Sequence, residues 1–333
     1  MMPDGPILII DDEPQNLAAL QQTLSSEYRL VFARDGAEAL KASLKHRPAL
    51  ILLDIEMPGL DGYAVCRALK ADERTAAIPV IFITNLFDVG DEAAGFEAGA
   101  VDYIVKPISP LTVSARVRTH LSLVQASRLE RSYRDAIYML GEAGHYNDND
   151  TGVHIWRMAA YAGALAVACG WPADACKLLE LAAPMHDTGK IGISDAILRK
   201  QGPLDATEWE IMKTHSRIGH DLLSKSDAPV FVMAAEIALR HHEKYDGSGY
   251  PDGLAGESIP ESARIVALAD VFDALSMKRP YKEAWPLDRV MENLQKGSGV
   301  HFDPRLVDAF VSILPQILNI KNEWDEREFN LGS

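Results

Sequence analysis

The feature that most constrains the fold is an alternation of two periods in the first 107 residues. Short apolar runs (ILII, RLVF, ALILLDI, PVIFIT and YIV) have the length and composition of buried strands. Strand and helix alternate five times, which predicts an α/β domain with a doubly wound, five-stranded parallel sheet covered on both faces. The segments with helical spacing between the strands are 14–26, 36–46, 61–73 and 88–98.

The rest of the chain has helical patterns and no strand-like runs, which predicts an all-α helical bundle. Leu129, Tyr133, Ala136 and Leu140 follow a four-three-four spacing, which fits an ordinary packed helix and equally a linker helix that forms a homodimer. The chain is predicted to divide into the α/β domain over 1–124, a helical linker over 125–147, the helical bundle over 148–320 and a loose charged tail over 321–333. The predicted helices beyond residue 147 are 151–169, 173–187, 205–224, 228–244, 261–277, 286–296 and 303–318.

The composition excludes some classes of function. The net charge is −15, with 33 basic and 48 acidic residues, so a nucleic acid polymer is not an expected partner. An anionic ligand would need metal ions or a few local basic groups. The cysteines (Cys66, Cys169 and Cys176) form no CxxC pair and are interpreted as free thiols. The start lacks a basic, then apolar leader, and no apolar run reaches about 18 residues, so we expect a cytoplasmic protein with no membrane partner.

Polar side chains stand at the carboxyl ends of four predicted strands. Because these ends meet at one edge of a doubly wound sheet, we expect the side chains to converge. Several carboxylates so close together repel one another unless a cation lies among them, and Mg²⁺ prefers a few carboxylates with water and phosphate oxygens. A lysine and a hydroxyl nearby would complete a phosphoryl-binding site. The residues are Asp11, Asp12, Asp54, Thr84 and Lys106.

With these motifs in place, the first 125 residues resemble the receiver domain of two-component response regulators. The resemblance implies phosphorylation of Asp54 by a cognate sensor histidine kinase, and a two-state response to the added charge. The other residues it implies are Asp11, Asp12 and the backbone of Glu56 with Asp54 for Mg²⁺, Thr84 and Lys106 for the phosphoryl group, and Tyr103 as the aromatic switch.

Histidines and aspartates recur in the helical half, within or at the ends of predicted helices. Asp270 lies in RIVALADVFDAL and Asp187 follows LLELAAPMH, where a buried charge is costly without a counter-ion. Imidazoles and carboxylates on facing helices are ligands for first-row divalent metals. A carboxylate that bridges two such ions helps to activate water for attack on phosphorus. The candidate ligands are His154, His186, Asp187, His215, His241, His242 and Asp270.

From about residue 140 to 320 the chain resembles the HD-GYP family of HD metal-dependent phosphohydrolases. The motifs that carry the resemblance are HDTGK, HHEKYDGSGYP, ADVFDAL, RPYKEA and HFDP, in this order. The family hydrolyses cyclic di-GMP to the linear dinucleotide pGpG and to GMP. The resemblance implies one metal ion on His154, His186, Asp187 and Asp270, and a second ion that Asp187 bridges to His215, His241 and His242.

The same resemblance implies roles for residues around the metals. Lys190, Arg279 and Lys282 match basic residues that bind substrate phosphates, with Lys190 and Asp187 also expected at the chemical step. Gly247 and Gly249 permit positive φ, so the loop can fold back towards the ligands. Tyr250 is then either the edge of a lid or a contact for a partner such as a GGDEF-type protein, and a purely structural turn is the alternative.

One departure from the family concerns a possible third metal ion. The family has glutamate four residues before the first histidine, and this chain has the shorter Asp150. Either Asp150 still reaches a metal or the centre holds two ions, and we favour two. The ligand set admits Fe or Mn, with Ni or Zn as alternatives. The alternatives for function are a phosphodiesterase that prefers pGpG or a mixed cyclic dinucleotide, and a weakly active cyclic-dinucleotide-binding or scaffolding module.

Overall fold

The computed structural model describes residues 5–85, 95–145, 152–277 and 284–331. The chain divides into two compact units, Met1–Ser132 and Tyr133–Ser333. Among the described residues, no helix combines the length and the apolar character that a bilayer-spanning segment needs.

The first unit contains the predicted parallel sheet. Its strands pair in the order β2-β1-β3-β4-β5, and all four pairings are parallel. Because helices cover both faces, every residue of β1, β3 and β4 is buried, as the continuous apolar runs predicted. The strands are β1 (Ile7–Ile10), β2 (Leu30–Ala33), β3 (Leu50–Asp54), β4 (Val80–Thr84) and β5 (Asp102–Val105).

Two helices of the first unit begin at aspartates that cap them. Asp35 accepts a hydrogen bond from the backbone N–H of Glu38, and Asp61 accepts one from that of Ala64, which satisfies N–H groups that the helix itself leaves free. Most of the predicted helix 88–98 lies outside the described residues. The helices are α1 (Pro14–Leu24), α2 (Gly36–His46), α3 (Gly62–Ala71) and the long α4 (Pro110–His145), whose residues 133–145 belong to the second unit.

The described part of the second unit is helical apart from isolated bridges, which confirms the predicted all-α class. Its central helix is buried or half-buried on all sides and lies within the core, where Ile265, Leu268 and Phe272 are fully buried. The helices are α5 (Gly152–Ala168), α6 (Ala173–Ala182), α7 (Asp195–Leu198), α8 (Ala206–Lys213), α9 (His215–Leu223), α10 (Pro229–Arg240), the central α11 (Glu261–Ser276), α12 (Leu287–Lys296), α13 (Pro304–Ser312) and α14 (Leu314–Leu331).

Four predicted helices are shorter than their apolar spacing indicated or are divided. The helix predicted over 228–244 ends at Arg240. The helix predicted over 173–187 stops at Ala182 and continues as two 3₁₀ segments, Ala183–Met185 and Thr188–Gly192. The helices predicted over 205–224 and 303–318 are each divided in two, at Thr214 and at Ile313. Apolar periodicity runs through the breaks after Ala182 and at Ile313 because the residues on both sides pack on one core.

The interpretation of residues 321–333 as a loose tail is wrong for the described residues, because α14 is helical through Leu331. Ile317, on the apolar side of this helix, is fully buried. Asp325 pairs with Lys321 at 2.6 Å and lies 3.5 Å from the Arg157 guanidinium. The charges that suggested a tail are therefore the polar side of an amphipathic helix that has specific ion-pair partners.

The predicted seam on α4 is largely open to solvent. Leu129 is 71% exposed and Tyr133 is 40% exposed, whereas Ile137, outside the seam, is buried in the core of the second unit. Packing of the second unit therefore uses a face of the helix that overlaps only the end of the seam, where Leu140 is partly buried against the same core. A homodimer through the seam stays a prediction.

Candidate metal centre and phosphoryl-acceptor site

The carboxylates of the first unit converge as predicted. Oxygen atoms of Asp11, Asp12 and Asp54 all lie within 4.8 Å of one another at the carboxyl ends of β1 and β3. These two strands are neighbours at the point where the strand order reverses, which is where open α/β sheets bind ligands. Three carboxylates so close together form a set of hard oxygen ligands that fits Mg²⁺.

Lys106 is the main partner of the Asp54 carboxylate. Its Nζ donates to Asp54 Oδ2 at 2.8 Å and lies 3.5 Å from Asp11 Oδ2. Burial raises the pKa of Asp54, and the Asp11 charge raises it further, while the bond from Lys106 opposes both. Lys106 thus supplies positive charge where a phosphoryl group on Asp54 would add negative charge. Thr84 is buried at the end of the adjacent strand β4.

The predicted switch residue Tyr103 lies on β5 and is partly buried. The ring of Phe96 meets it edge to face at 6.4 Å, and the Arg116 guanidinium lies 5.9 Å from its centre. The preceding residue, Asp102, accepts from Arg116 at 2.5 Å and lies 3.0 Å from His120 Nε2. Arg116 and His120 both belong to α4, so strand β5 is bonded to that helix through Asp102.

In the second unit, local sequence places His186 and Asp187 in a tight turn between the two 3₁₀ segments. Pro184 is the second residue of the first segment, where its missing N–H costs no helical hydrogen bond. Gly189 allows the second segment to lie directly on α9, because a β-carbon there would stand 1.9 Å from the His215 carbonyl oxygen. The glycine of HDTGK therefore permits the approach of Asp187 to His215.

Each of four histidines has a fixed partner at Nδ1. A carbonyl oxygen can only accept, so these contacts make Nδ1 the donor and leave Nε2 with a lone pair for a metal ion. The contacts are His186 to Ala183 O at 3.0 Å, His215 to Met212 O at 2.7 Å, His241 to Ile237 O at 3.0 Å, and His154 to the Asp273 carboxylate at 2.5 Å.

The Asp187 carboxylate lies among the Nε2 atoms of these histidines. Its Oδ1 lies 3.3 Å from His215 Nε2 and 3.6 Å from His241 Nε2, whereas its Oδ2 lies 3.3 Å from His186 Nε2 and 2.7 Å from Lys190 Nζ. The two oxygens therefore face different groups of residues. This division is what a carboxylate shared by two metal ions requires.

Several of these atoms are buried without a hydrogen-bond partner in the structure. They are Asp187 Oδ1, His215 Nε2 and His241 Nε2. Unsatisfied buried polar atoms are costly, and three that face one another fit a bound cation. Asp187, His215, His241 and His242 bring ligand atoms within 4.8 Å of one another, so the residues present fit a divalent metal ion.

His154 and Asp270 form the other edge of the cluster. His154 Nε2 lies 3.5 Å from Asp270 Oδ1, and the Asp270 carboxylate interacts electrostatically with His186 and Asp187. All seven residues predicted as core ligands are thus brought into one region. Sequence reasoning missed Asp273, which lies three residues after Asp270 on α11 and accepts from Arg157 at 2.6 and 2.8 Å. The spacing of the two aspartates in ADVFDAL was the available signal.

Protonation differs across the cluster. Burial lowers the pKa of His215 to about 4 and lowers the pKa of His242 well below its ordinary value, so both are neutral near pH 7. Burial would also lower the pKa values of His154 and His186, but the carboxylates beside them raise both. Burial would raise the pKa of Asp187, but the charges of Lys190 and His186 outweigh it and hold that pKa well below the usual range. Asp187 is therefore an ionised carboxylate close to the neutral imidazoles of His215 and His242.

The glycine-rich loop brings Tyr250 onto the cluster, where its ring stacks on His242 at 4.7 Å. Asp246 accepts from the Ser248 N–H, as the turn prediction required. Of the two glycines that permit positive φ, only Gly247 adopts it. Gly249 is needed for close approach instead, because a β-carbon would lie 2.2 Å from the Lys244 nitrogen.

A buried glutamate that the sequence reasoning did not single out holds this loop. Glu243 is 3% exposed and accepts from the backbone N–H groups of Asp252 and Leu254, at 2.9 and 3.0 Å. Arg240 donates to it as well. Three further residues that the sequence predicted for the site, Asp150, Arg279 and Lys282, lie outside the described residues.

Comparison with known proteins agrees with both halves of this picture. The family described as response regulator receiver domain matches residues 7–118, and the family described as HD domain matches residues 122–306. The chain is 41% identical to the cyclic di-GMP phosphodiesterase response regulator RpfG of Xanthomonas campestris pv. campestris, over 96% of this chain and 90% of that protein.

Two proteins of Vibrio cholerae serotype O1 are also similar. A probable cyclic di-GMP phosphodiesterase is 37% identical over 97% of this chain and 80% of that protein. The 3′3′-cGAMP-specific phosphodiesterase 2 is 41% identical, over 60% of this chain and 36% of that protein. The converging carboxylates of the first unit and the histidine–aspartate cluster of the second agree with these similarities. The chain therefore belongs to the response regulators that join a receiver domain to an HD domain of the HD-GYP family.

Proposed function

We propose that this protein hydrolyses cyclic di-GMP to pGpG and onward to GMP, and that phosphorylation of its receiver domain controls the reaction. The observation that carries the proposal is the buried Asp187 carboxylate, whose Oδ1 faces the Nε2 atoms of His215 and His241 and whose Oδ2 faces that of His186. Similarity to phosphodiesterases whose names specify cyclic di-GMP supports the choice of substrate.

Two divalent ions, Fe or Mn by preference and Ni or Zn as alternatives, would be held by the cluster and would supply a nucleophile at neutral pH and charge neutralisation for the phosphodiester. The proposed ligands of one ion are His154, His186, Asp187 and Asp270, and those of the other are Asp187, His215, His241 and His242. Asp150 lies outside the described residues, so a third ion does not enter the proposal.

Lys190 is the proposed residue for charge that develops on the phosphate. Its Nζ lies 2.7 Å from Asp187 Oδ2, so the ammonium group is held at the edge of the cluster. A cation fixed there before substrate arrives stabilises negative charge in the transition state without further rearrangement. Arg279 and Lys282 are proposed to bind the phosphates on the sequence argument alone.

Tyr250 is proposed to close one side of the substrate site. Its ring covers His242, and the Trp209 ring meets it edge to face at 6.1 Å. An aromatic side chain at this place suits contact with a nucleobase or its ribose. The alternative, that Tyr250 contacts a partner such as a GGDEF-type protein, predicts that Tyr250→Phe changes pull-down of that partner and leaves turnover unchanged.

In the receiver, Asp54 is the proposed phosphoacceptor, with Mg²⁺ held by Asp11, Asp12 and Asp54. A sensor histidine kinase is the proposed phosphate donor. Lys106 and Thr84 are proposed to contact the phosphoryl group and Tyr103 to respond to it. The 2.8 Å bond from Lys106 to Asp54 supports this assignment, because the same ammonium group can pair with a phosphoryl oxygen.

The proposal is tested by turnover of purified full-length protein that is loaded with Mn²⁺ or Fe²⁺ under reducing conditions. We expect cyclic di-GMP to be converted to pGpG and GMP, with about two ions bound at the second unit by elemental analysis. Bound cyclic di-GMP that survives with no product would support the binding or scaffolding alternative and contradict the proposal.

A second substrate has a specific observation in its favour. A relative that is 41% identical over part of its length is named for 3′3′-cGAMP. Specificity constants for cyclic di-GMP, pGpG and 3′3′-cGAMP, measured in parallel on one preparation, decide among these substrates. A higher constant for 3′3′-cGAMP would replace cyclic di-GMP in the proposal and leave the metal chemistry unchanged.

A further inference from the structure

The last turns of α4 lie on the segment that carries two of the candidate metal ligands. Ile137 and Leu140 join the core of the second unit, and Gly141 and Gly144 continue the same face of the helix. This spacing of three to four residues presents one side of α4 to the turn that contains His186 and Asp187.

The contact at Gly144 is with backbone. A β-carbon on Gly144 would lie 2.8 Å from the Thr188 Cα, 3.1 Å from the Thr188 nitrogen and 3.4 Å from the Asp187 carbonyl carbon. Real β-carbons do not approach within 3.0 Å, and backbone atoms cannot move aside as a flexible side chain does. Only glycine therefore allows α4 to lie where it does.

The contact at Gly141 is looser. A β-carbon there would lie 3.2 Å from the Pro184 Cβ and 3.5 Å from the Pro184 carbonyl oxygen. A shift of a few tenths of an ångström would relieve it. The two glycines thus form a graded pair, with the tighter contact next to Asp187.

The opposite side of the turn is equally close to its neighbour. Gly189 lies against the His215 carbonyl oxygen on α9, as described for the metal cluster. The Asp187–Gly189 backbone is therefore held between α4 and α9, with backbone contacts on both sides. Asp187 has no room to adjust independently of these helices, and its Oδ1 is 3.3 Å from His215 Nε2.

We propose that Gly144 is a positioning residue for the metal centre: it lets α4 lie on the Asp187–Thr188 backbone, so that the position of α4 sets the distance from Asp187 to its histidines. This inference rests on the proposed function for its catalytic meaning, but the positioning itself concerns metal binding. Displacement of the turn by one methyl group moves the bridging carboxylate away from nitrogen atoms that Nδ1 contacts hold in place.

The experiment compares Mn²⁺ affinity of full-length wild type, Gly144→Ala, Gly141→Ala and the control Gly163→Ala, in excess Mg²⁺ that fills the receiver site. Gly163→Ala is the same change inside α5 of the same unit, but its β-carbon meets the movable Glu180 side chain. We expect Gly144→Ala to weaken Mn²⁺ binding by 10- to 100-fold, on the order seen when the supports of ligands are altered. Gly141→Ala should lose less Mn²⁺ affinity, and Gly163→Ala should bind Mn²⁺ as tightly as wild type.

Hydrogen–deuterium exchange separates positioning from unfolding. We expect faster exchange in Gly144→Ala to be confined to peptides over 183–192, while peptides from α11 stay protected. Equal Mn²⁺ affinity in Gly144→Ala and wild type would overturn the proposal. So would a loss of affinity that is matched by faster exchange throughout the second unit, because the effect would then be general destabilisation.

These outcomes are distinct from failure of the proposed function. Wild type that binds Mn²⁺ but does not hydrolyse cyclic di-GMP would overturn the proposed activity, while the loss of Mn²⁺ affinity in Gly144→Ala would still support the positioning role. If wild type hydrolyses cyclic di-GMP and Gly144→Ala binds Mn²⁺ with unchanged affinity, the proposed activity is supported and the positioning role is overturned.

Discussion

The two candidate metal sites differ in how their ligand atoms are satisfied. In the receiver, Asp11 accepts from Asn16 and from the backbone of Glu13, and Asp54 accepts from Lys106. Within the described ranges, Asp187 Oδ1 and the Nε2 atoms of His215 and His241, all in the second unit, are buried without a hydrogen-bond partner. The buried receiver carboxylates therefore have partners within the protein, whereas these atoms of the second unit do not.

This difference indicates two kinds of metal site. Carboxylates that already have partners gain little from a hard, strongly hydrated ion, which suits Mg²⁺ that enters and leaves with the phosphoryl group. Buried imidazoles with fixed Nδ1 donors are already oriented for a first-row transition metal, which would satisfy the Nε2 atoms of His215 and His241. We therefore expect an exchangeable ion in the receiver and a retained metal centre in the HD domain.

The largest expected effect is that of Asp187→Asn. Loss of the carboxylate shared by the two groups of histidines should remove retained metal and cost several kcal/mol of transition-state stabilisation, about 10³-fold in turnover. Asp174→Asn is the control, since the Asp174 side chain is fully exposed. Metal content after dialysis and turnover of cyclic di-GMP are the measurements. Unchanged metal content in Asp187→Asn would contradict the comparison.

Asp54→Asn tests the receiver side. We expect labelling by an acyl phosphate with Mg²⁺ to disappear, because the attacking carboxylate is lost, while metal retained by the second unit stays at the wild-type level. Asp72→Asn, at a surface pair with Arg74, is the matched control. Labelling that persists in Asp54→Asn would mean that another residue is the phosphoacceptor.

A smaller effect is expected from Asp273→Asn, which sharpens the account of His154. Asparagine cannot hold the Nδ1 proton of His154 as a carboxylate does, so Mn²⁺ affinity should fall by about 10- to 100-fold. Asp308→Asn, exposed on α13, is the control, and Asp273→Glu should recover part of the affinity. The affinity is measured at a temperature where circular dichroism shows both variants folded, since Arg157 also loses its partner. Wild-type affinity in Asp273→Asn would rule out this role.

The smallest effect concerns pH and the first unit. Burial raises the pKa of Asp102, but hydrogen bonds from Arg116 and His120 outweigh it, and the net pKa is lowered. A lowered folded-state pKa gives stability that is present above the unfolded value of about 4 and is lost as pH falls through the folded-state pKa. The Arg116 partner is 40% exposed, so we expect roughly 1 kcal/mol or less.

Calorimetry of wild type and Asp102→Asn between neutral and acidic pH measures this contribution. The difference in unfolding free energy of the receiver should be present at neutral pH and shrink as the solution becomes acidic. A difference that grows on acidification would reverse the sign and contradict the assignment.

Much of the fold follows from local pattern. Continuous apolar runs predicted β1, β3 and β4 because strands buried on both faces cannot alternate with polar residues. The charged composition of residues 321–331 predicts a tail, but Asp325 and the buried Ile317 belong to a helix with one packed side. The local density of charge does not show whether an ion-pair partner such as Arg157 lies elsewhere in the chain.

The sequence by itself determined which residues carry the chemistry: the strand-end aspartates and the histidines and aspartates of HDTGK, HHEKYDGSGYP and ADVFDAL. Residue type and spacing suffice for this, because they decide which donor atoms exist and on which elements. Only the tertiary structure decided how the atoms face one another. The division of the Asp187 oxygens, the carbonyl partners of each Nδ1 and the backbone contact of Gly144 join residues from different helices, and such distances depend on packing that no local pattern encodes.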